Sequence, residues 1–173
     1  MAAATCQVQL GTGASVSWAN AEGGVTWNLE DTISGVTPIA IPNTTGTNYS
    51  WIKNLALAVT VTGTTNITNR RISFASSLTS GLFLFWKAVA VGSYAQASGV
   101  NQPAASGTNA ATPAGYTLMS TTAAQYDNTS VATSATGPNG SMAVVVFGVD
   151  NTYTGGANSG TTLASVIITY DEA

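Results

Sequence analysis

The chain has no histidine and a single cysteine, Cys6, in 173 residues. Without His there is no Ser-His-Asp or Cys-His pair to activate a nucleophile, and no His-based metal site. One Cys excludes an intrachain disulfide and a cysteine-based zinc site. Charge is as scarce. Lys and Arg together number four, Asp and Glu seven, and charged residues make up 6% of the chain, against about 25% in an ordinary soluble domain. Four basic residues cannot form a nucleic-acid footprint, because each neutralised phosphate needs a Lys or Arg. The wet face of a long amphipathic helix lacks its Glu, Lys and Arg for the same reason. The longest apolar stretches, Leu82–Val91 and Met142–Val149, fall far short of the roughly 20 residues that span a membrane as a helix. Met1–Cys6 carries neither a basic nor an apolar leader region, so synthesis in a reducing cytoplasm is expected.

Chemistry-bearing motifs are missing too. No glycine-rich phosphate loop occurs in either common spacing. Glu30-Asp31 and Asp171-Glu172 are adjacent acids, not a pair facing each other across a cleft, and they read as turn and chain-end residues. Asp127-Asn128 and Asp150-Asn151 offer loop oxygens without the spacing of a calcium loop, so Asx-turns are expected there. These absences predict no catalytic residue, no metal and no cofactor, and hence a protein that is not an enzyme.

Apolar residues are nonetheless 45% of the chain, enough for a packed core and too many for global disorder. Their spacing has a period of two. Leu55, Leu57, Val59 and Val61 share one face of Leu55–Thr62, while Ala56, Ala58, Thr60 and Thr62 share the other. Cys6–Leu10, Ser15–Trp18 and Val25–Leu29 alternate in the same way and predict half-buried strands. Leu82–Val91 and Met142–Val149 are apolar on both faces apart from Lys87, and Leu163–Tyr170 is nearly so. They predict central strands, or strands whose outer face another subunit covers. Ile67–Phe74 predicts a strand carrying Arg70 and Arg71, which must point to opposite faces; an inward arginine needs a carboxylate or carbonyl. Pro38 and Pro42 demote Val36–Ile41 to an edge strand or extended arm. With about eight strands and no helix, the pattern fits a two-sheet sandwich or a barrel; the expected fold is all-β, a two-sheet antiparallel sandwich spanning 1–173, with jelly-roll topology preferred over an immunoglobulin-like Greek key that the sequence does not separate from it.

Gly92–Ser141 breaks the rhythm. It holds one charged residue, Asp127, among Ala, Ser, Thr, Asn and Gly. A structureless loop of that length is unusual in a compact domain. Two readings compete, a mobile linker as its composition suggests and an ordered excursion, with a short strand at Tyr116–Met119, laid over a neighbouring subunit; its lack of charge and its Tyr94, Tyr116, Tyr126 and Met119 favour the second. Trp18, Trp27, Trp51 and Trp86 fall in strand patterns and predict core packing. The candidate interface residues are Tyr94, Tyr116, Met119, Tyr126, Tyr153, Arg70 and Arg71, residue types enriched at protein contacts.

The Ala-rich start Met1–Thr5, the Thr/Ser/Gly/Asn-rich strands such as Leu55–Thr62, Leu82–Val91 followed by a charge-free excursion, and the closing strand Leu163–Tyr170 with its Asp171-Glu172-Ala173 tail set the style of the whole chain. In that style the chain resembles the small capsid decoration, or cement, proteins of tailed bacteriophages. The resemblance implies a β-sandwich or jelly-roll subunit, commonly a homotrimer, that sits on the major capsid protein at the virion exterior and reinforces it. The partners expected are other copies of the chain and the capsid, with no direct nucleic acid and no membrane. The arm Met1–Thr5 and the excursion 92–141 are the expected inter-subunit contacts. The competing readings are a carbohydrate-binding or adhesin sandwich, whose loop tyrosines would stack on sugars, and a tail or collar component.

Overall fold

The computed structural model describes residues 2–32, 34, 37–155 and 165–173. Twelve strands are present among them: β1 (Thr5–Thr12), β2 (Ser17–Asn20), β3 (Thr47–Tyr49), β4 (Lys53–Val61), β5 (Asn66–Phe74), β6 (Leu82–Ala90), β7 (Thr117–Leu118), β8 (Ala124–Asp127), β9 (Val131–Ala132), β10 (Gly137–Pro138), β11 (Ser141–Asp150) and β12 (Val166–Glu172). The one helical element described is a 3-10 turn, Val91–Ser93. The architecture is an all-β, two-sheet antiparallel sandwich. The larger sheet runs β2-β1-β4-β11-β6-β7, with β10 beside β4 and β3 beside β11; the smaller runs β12-β5-β8, with β9 beside β5.

The alternation seen in the sequence sorts side chains onto the two faces of the larger sheet. Leu55, Leu84, Trp86, Val145 and Phe147 face inward. They meet Ile72 and Tyr126 of the smaller sheet, with Phe74, Val166 and Ile168 alongside. Full burial of one such aliphatic side chain contributes about 1.5–3 kcal/mol. The rest of the inner face lies under residues 21–29 and 39–41, which lay Val25, Trp27, Leu29 and Ile39 against the same core. Trp27 stacks on Phe147, with ring centroids 6.4 Å apart.

Two segments depart from the expected strands. Val25–Leu29 forms no ladder. Its residues pack between layers, which is why Asn28, on the polar side of the alternation, is 1% exposed. Residues 37–41 also stay out of the sheets, because Pro38 and Pro42 bracket them and lack the N–H that a ladder needs. Val36, Leu163 and Ala164 lie outside the described residues.

The outer face of the larger sheet is covered by the chain itself. Tyr49, Ala56, Phe85, Met142, Val144 and Val146 lie on this face and are buried with Ala97, while Tyr94 and Tyr116 pack beside them. The excursion is pinned by hydrogen bonds. Asn54 Nδ2 donates to the Ala95 carbonyl at 2.9 Å and the Tyr49 hydroxyl to the Ala111 carbonyl at 2.7 Å. A β-bridge joins Thr47 to Ser106. Farther on, the excursion supplies β7 to the larger sheet and β8 and β9 to the smaller one. The short strand expected at Tyr116–Met119 is β7. Ala56 and Ala58 are fully buried; alanine on that face was the sign of a close cover.

Candidate functional site

All four basic side chains are engaged within the chain. Lys53 is 1% exposed. Its ammonium donates to Asn28 Oδ1 at 2.9 Å and to the carbonyls of Glu30 and Thr32 at 2.7 and 2.9 Å. Burial lowers its pKa to about 8, against the opposing pull of the Asp31 and Glu30 carboxylates. Arg70 is 0% exposed. It pairs with Asp127 and donates to the Asn139 carbonyl. Arg71, on the opposite face of β5, binds Asp171 through two bonds of 3.0 Å. Lys87 Nζ stands 4.6 Å from the centre of the Tyr116 ring, a cation–π contact.

The acids are used in the same way. Asp127 accepts from the backbone N–H groups of Thr129 and Ser141, each at 2.7 Å. Burial alone would raise its pKa, but the hydrogen bonds from Thr129 and Ser141 and the Arg70 charge outweigh it and hold the carboxyl below its ordinary range. Asp150 accepts from Thr152 and from the Ala110 N–H. Both aspartates thus make the expected Asx-turns. Asp31 accepts from Gly13 N–H, Glu22 from Val8, Glu30 from Thr37 and Glu172 from Ala4. Asp171 receives Arg71 and Asn69.

The seven expected interface residues do not form one surface. Met119 and Tyr126 are 3% and 6% exposed and belong to the inner core. Burial raises the Tyr126 hydroxyl well above its ordinary pKa. Arg70 is buried with its carboxylate, so it too is unavailable to a neighbour. These three corrections share a cause: the excursion folds back onto its own sheets and carries Met119, Tyr126 and Asp127 into the sandwich. Tyr94 and Tyr116 are half-buried under the outer face. The Tyr94 hydroxyl donates to the Gly13 carbonyl at 3.0 Å, and its ring meets Trp18 edge-on. Burial pushes Tyr94 and Tyr116 up to about 12. Tyr153 is half-buried against the inner core. Arg71 alone of the seven has its charged end in solvent, shared with Asp171.

The arm turns back as well. Ala2 and Thr64 exchange hydrogen bonds, and Ala4 N–H donates to Glu172. Glu22, Arg71, Asp171 and Glu172, whose charges reach solvent, each have a partner within the chain. The excursion from Gly92 to Tyr126 contains no charged residue, and Val100 at its crest is 96% exposed. A shallow groove of about 290 Å³, lined by Phe74, Leu78, Phe83 and Leu118 among others, opens beside β7. Among the described residues no three His, Cys, Asp or Glu side chains gather as a metal cluster. No helix there is long and apolar enough to cross a membrane.

No family model, curated protein or solved structure matches this chain.

Sequence reasoning missed the buried Lys53–Asn28 contact. Its signal was a lysine at the head of an apolar strand, opposite an asparagine inside an otherwise apolar alternation.

Proposed function

We propose that this protein is a non-enzymatic virion building block that decorates and reinforces a phage capsid through contacts with copies of itself, as a homotrimer, and with the major capsid protein. One observation carries the reading: each of the four basic and seven acidic residues has a partner within its own chain, so few charges stand unpaired on a surface made largely of Ser, Thr, Asn, Gly and Ala. A lone protein gains solubility from net and mixed surface charge. A protein packed among neighbours avoids charge that would be desolvated without a partner. The excursion supports the reading from its outward side. It is held in place by its own sheet, so a partner meets a pre-ordered surface and less ordering entropy is lost on contact.

The adhesin reading fits the geometry less well. Tyr94, Tyr116 and Tyr126 turn their rings toward the sheets, where they cannot stack on sugar faces.

The test pairs native mass with particle binding. Light scattering on the purified chain should show trimers, and imaging should place them at regular lattice positions on capsids that lack the protein. Two charges added on the crest of the excursion, Val100→Asp with Ala104→Asp, should weaken that binding while circular dichroism stays unchanged. A chain that stays monomeric and leaves capsids bare overturns the proposal.

A further inference from the structure

Lys53 and Asn28 form an unusual pair in the interior. Each is 1% exposed, and Lys53 Nζ lies 2.9 Å from Asn28 Oδ1. The other face of that amide is unsatisfied: Asn28 Nδ2 has no hydrogen-bond partner, a costly state for a buried group. The remaining acceptors of the ammonium are the neutral carbonyls of Glu30 and Thr32. The carboxylates of Asp31 and Glu30 act on it through space. An amine and a carboxamide are thus held together away from bulk water, with two half-exposed acids near enough to act on the amine.

We infer that Lys53 and Asn28 become joined by an intramolecular isopeptide bond. The Lys53 ammonium gives up one proton, for which the neighbouring carboxylates are the acceptors, and the free amine attacks Asn28 Cγ. The new Nζ–Cγ bond forms, and the Cγ–Nδ2 bond breaks. Two protons leave Nζ in all, and both end on the departing nitrogen, so a lysine ammonium and a carboxamide become a secondary amide and an ammonium ion. Charge balances, and no oxidant or external co-reactant is needed.

Three features favour the step. Contact distance makes the reaction intramolecular. Burial, which lowers the lysine to about 8, raises the fraction of nucleophilic amine. The product removes a buried cation and the unpartnered NH2 together. The bond also fastens Val25–Leu29, which has no ladder of its own, to β4 in the middle of the larger sheet. It closes a loop between positions 25 residues apart, so it restricts the unfolded chain as any cross-link does. This inference is independent of the virion reading, and neither result decides the other.

Intact mass of the denatured, purified wild-type chain decides it. The expected mass is one ammonia below that of the sequence. Proteolysis should release a branched peptide containing both residue 28 and residue 53, with no tryptic cut after Lys53. Lys53→Met and Asn28→Ala should each restore the full mass. If those variants do not fold, the branched peptide from the wild type still decides. A wild-type chain at its full sequence mass overturns the inference. So does an ammonia loss mapped elsewhere, such as a succinimide at Asn139-Gly140.

Discussion

The two faces of the larger sheet are buried by different means. The inner face meets large side chains with large side chains: Phe147, Val145 and Leu84 against Ile72, Tyr126 and Trp27. The outer face carries Phe85, Val144 and Val146, and the excursion covers it with one buried small residue, Ala97, and the half-buried rings of Tyr94 and Tyr116. Hydrogen bonds from Asn54, Tyr49 and Gln102 hold that cover down. Apolar area removed from water stabilises the inner layer. Chain direction and bond geometry hold the outer one. The comparison shows how a segment that resembles a linker in composition can be ordered: it has little apolar surface of its own and borrows that of the sheet.

The largest effect should come from the inner face. Phe147→Ala leaves a hole under Trp27 and should cost about 3–5 kcal/mol, read from the urea midpoint at unchanged slope. Gly11→Ala attacks the outer layer. A Cβ there would stand 2.9 Å from the Trp18 ring and 3.0 Å from that of Tyr94, so both must shift. The expected loss is about 1–3 kcal/mol, with Tyr94 fluorescence and exchange at its neighbours changing together. Tyr49→Phe removes the bond to Ala111 and the hydroxyl's contact with Thr47 and should cost about 0.5–1.5 kcal/mol. Hydrogen exchange should report that loss as local opening of residues 106–111, with global unfolding little changed. If instead the whole molecule loosens equally, the two layers are one cooperative unit and the contrast fails.

The smallest effect is electrostatic and belongs to the smaller sheet. The Arg71 and Asn69 hydrogen bonds hold the Asp171 carboxyl below its ordinary value of 3.8. The unfolded chain therefore takes up that proton first. The contribution is complete above 3.8 and is lost as pH falls through the lower folded value. Asp127 has the same sign, because hydrogen bonds and Arg70 outweigh the effect of its burial. Asp171→Asn should flatten part of the acid limb of a stability–pH curve at low salt and change little at 1 M salt, since an exposed pair is screened.

Much of the sandwich was legible before any coordinates. Arg70 and Arg71 illustrate it: neighbours on a strand must face opposite ways, and the inward one met both a carboxylate and a carbonyl. Of the expected turn Gly137-Pro138-Asn139-Gly140, Gly137–Pro138 form the short strand β10 beside β4, and the chain bends at Gly140, with φ of +74°, to enter β11 as the turn into it. A Cβ on Gly140 would collide with the buried Arg70 guanidinium, which ties the turn to that ion pair. Val25–Leu29 was misread, because alternation describes a strand and an extended interlayer segment equally well. Met119, Tyr126 and Arg70, expected at an interface, are instead buried in the chain's own interior for a related reason. Tyr94, Tyr116, Met119 and Tyr126 are as well suited to their own sheet as to a partner's.

By itself, the order of large and small residues determined that this chain is built from strands, which residues share a face, and that few charges are left for solvent. Those properties are local, set by the two-residue period of an extended backbone and by composition. Only the tertiary structure decided what lies against each face, and which amide meets Lys53. Such contacts join residues far apart in the chain, and many pairings satisfy the same alternation; the choice among them falls to mutual packing and to the need of every buried polar group for a partner.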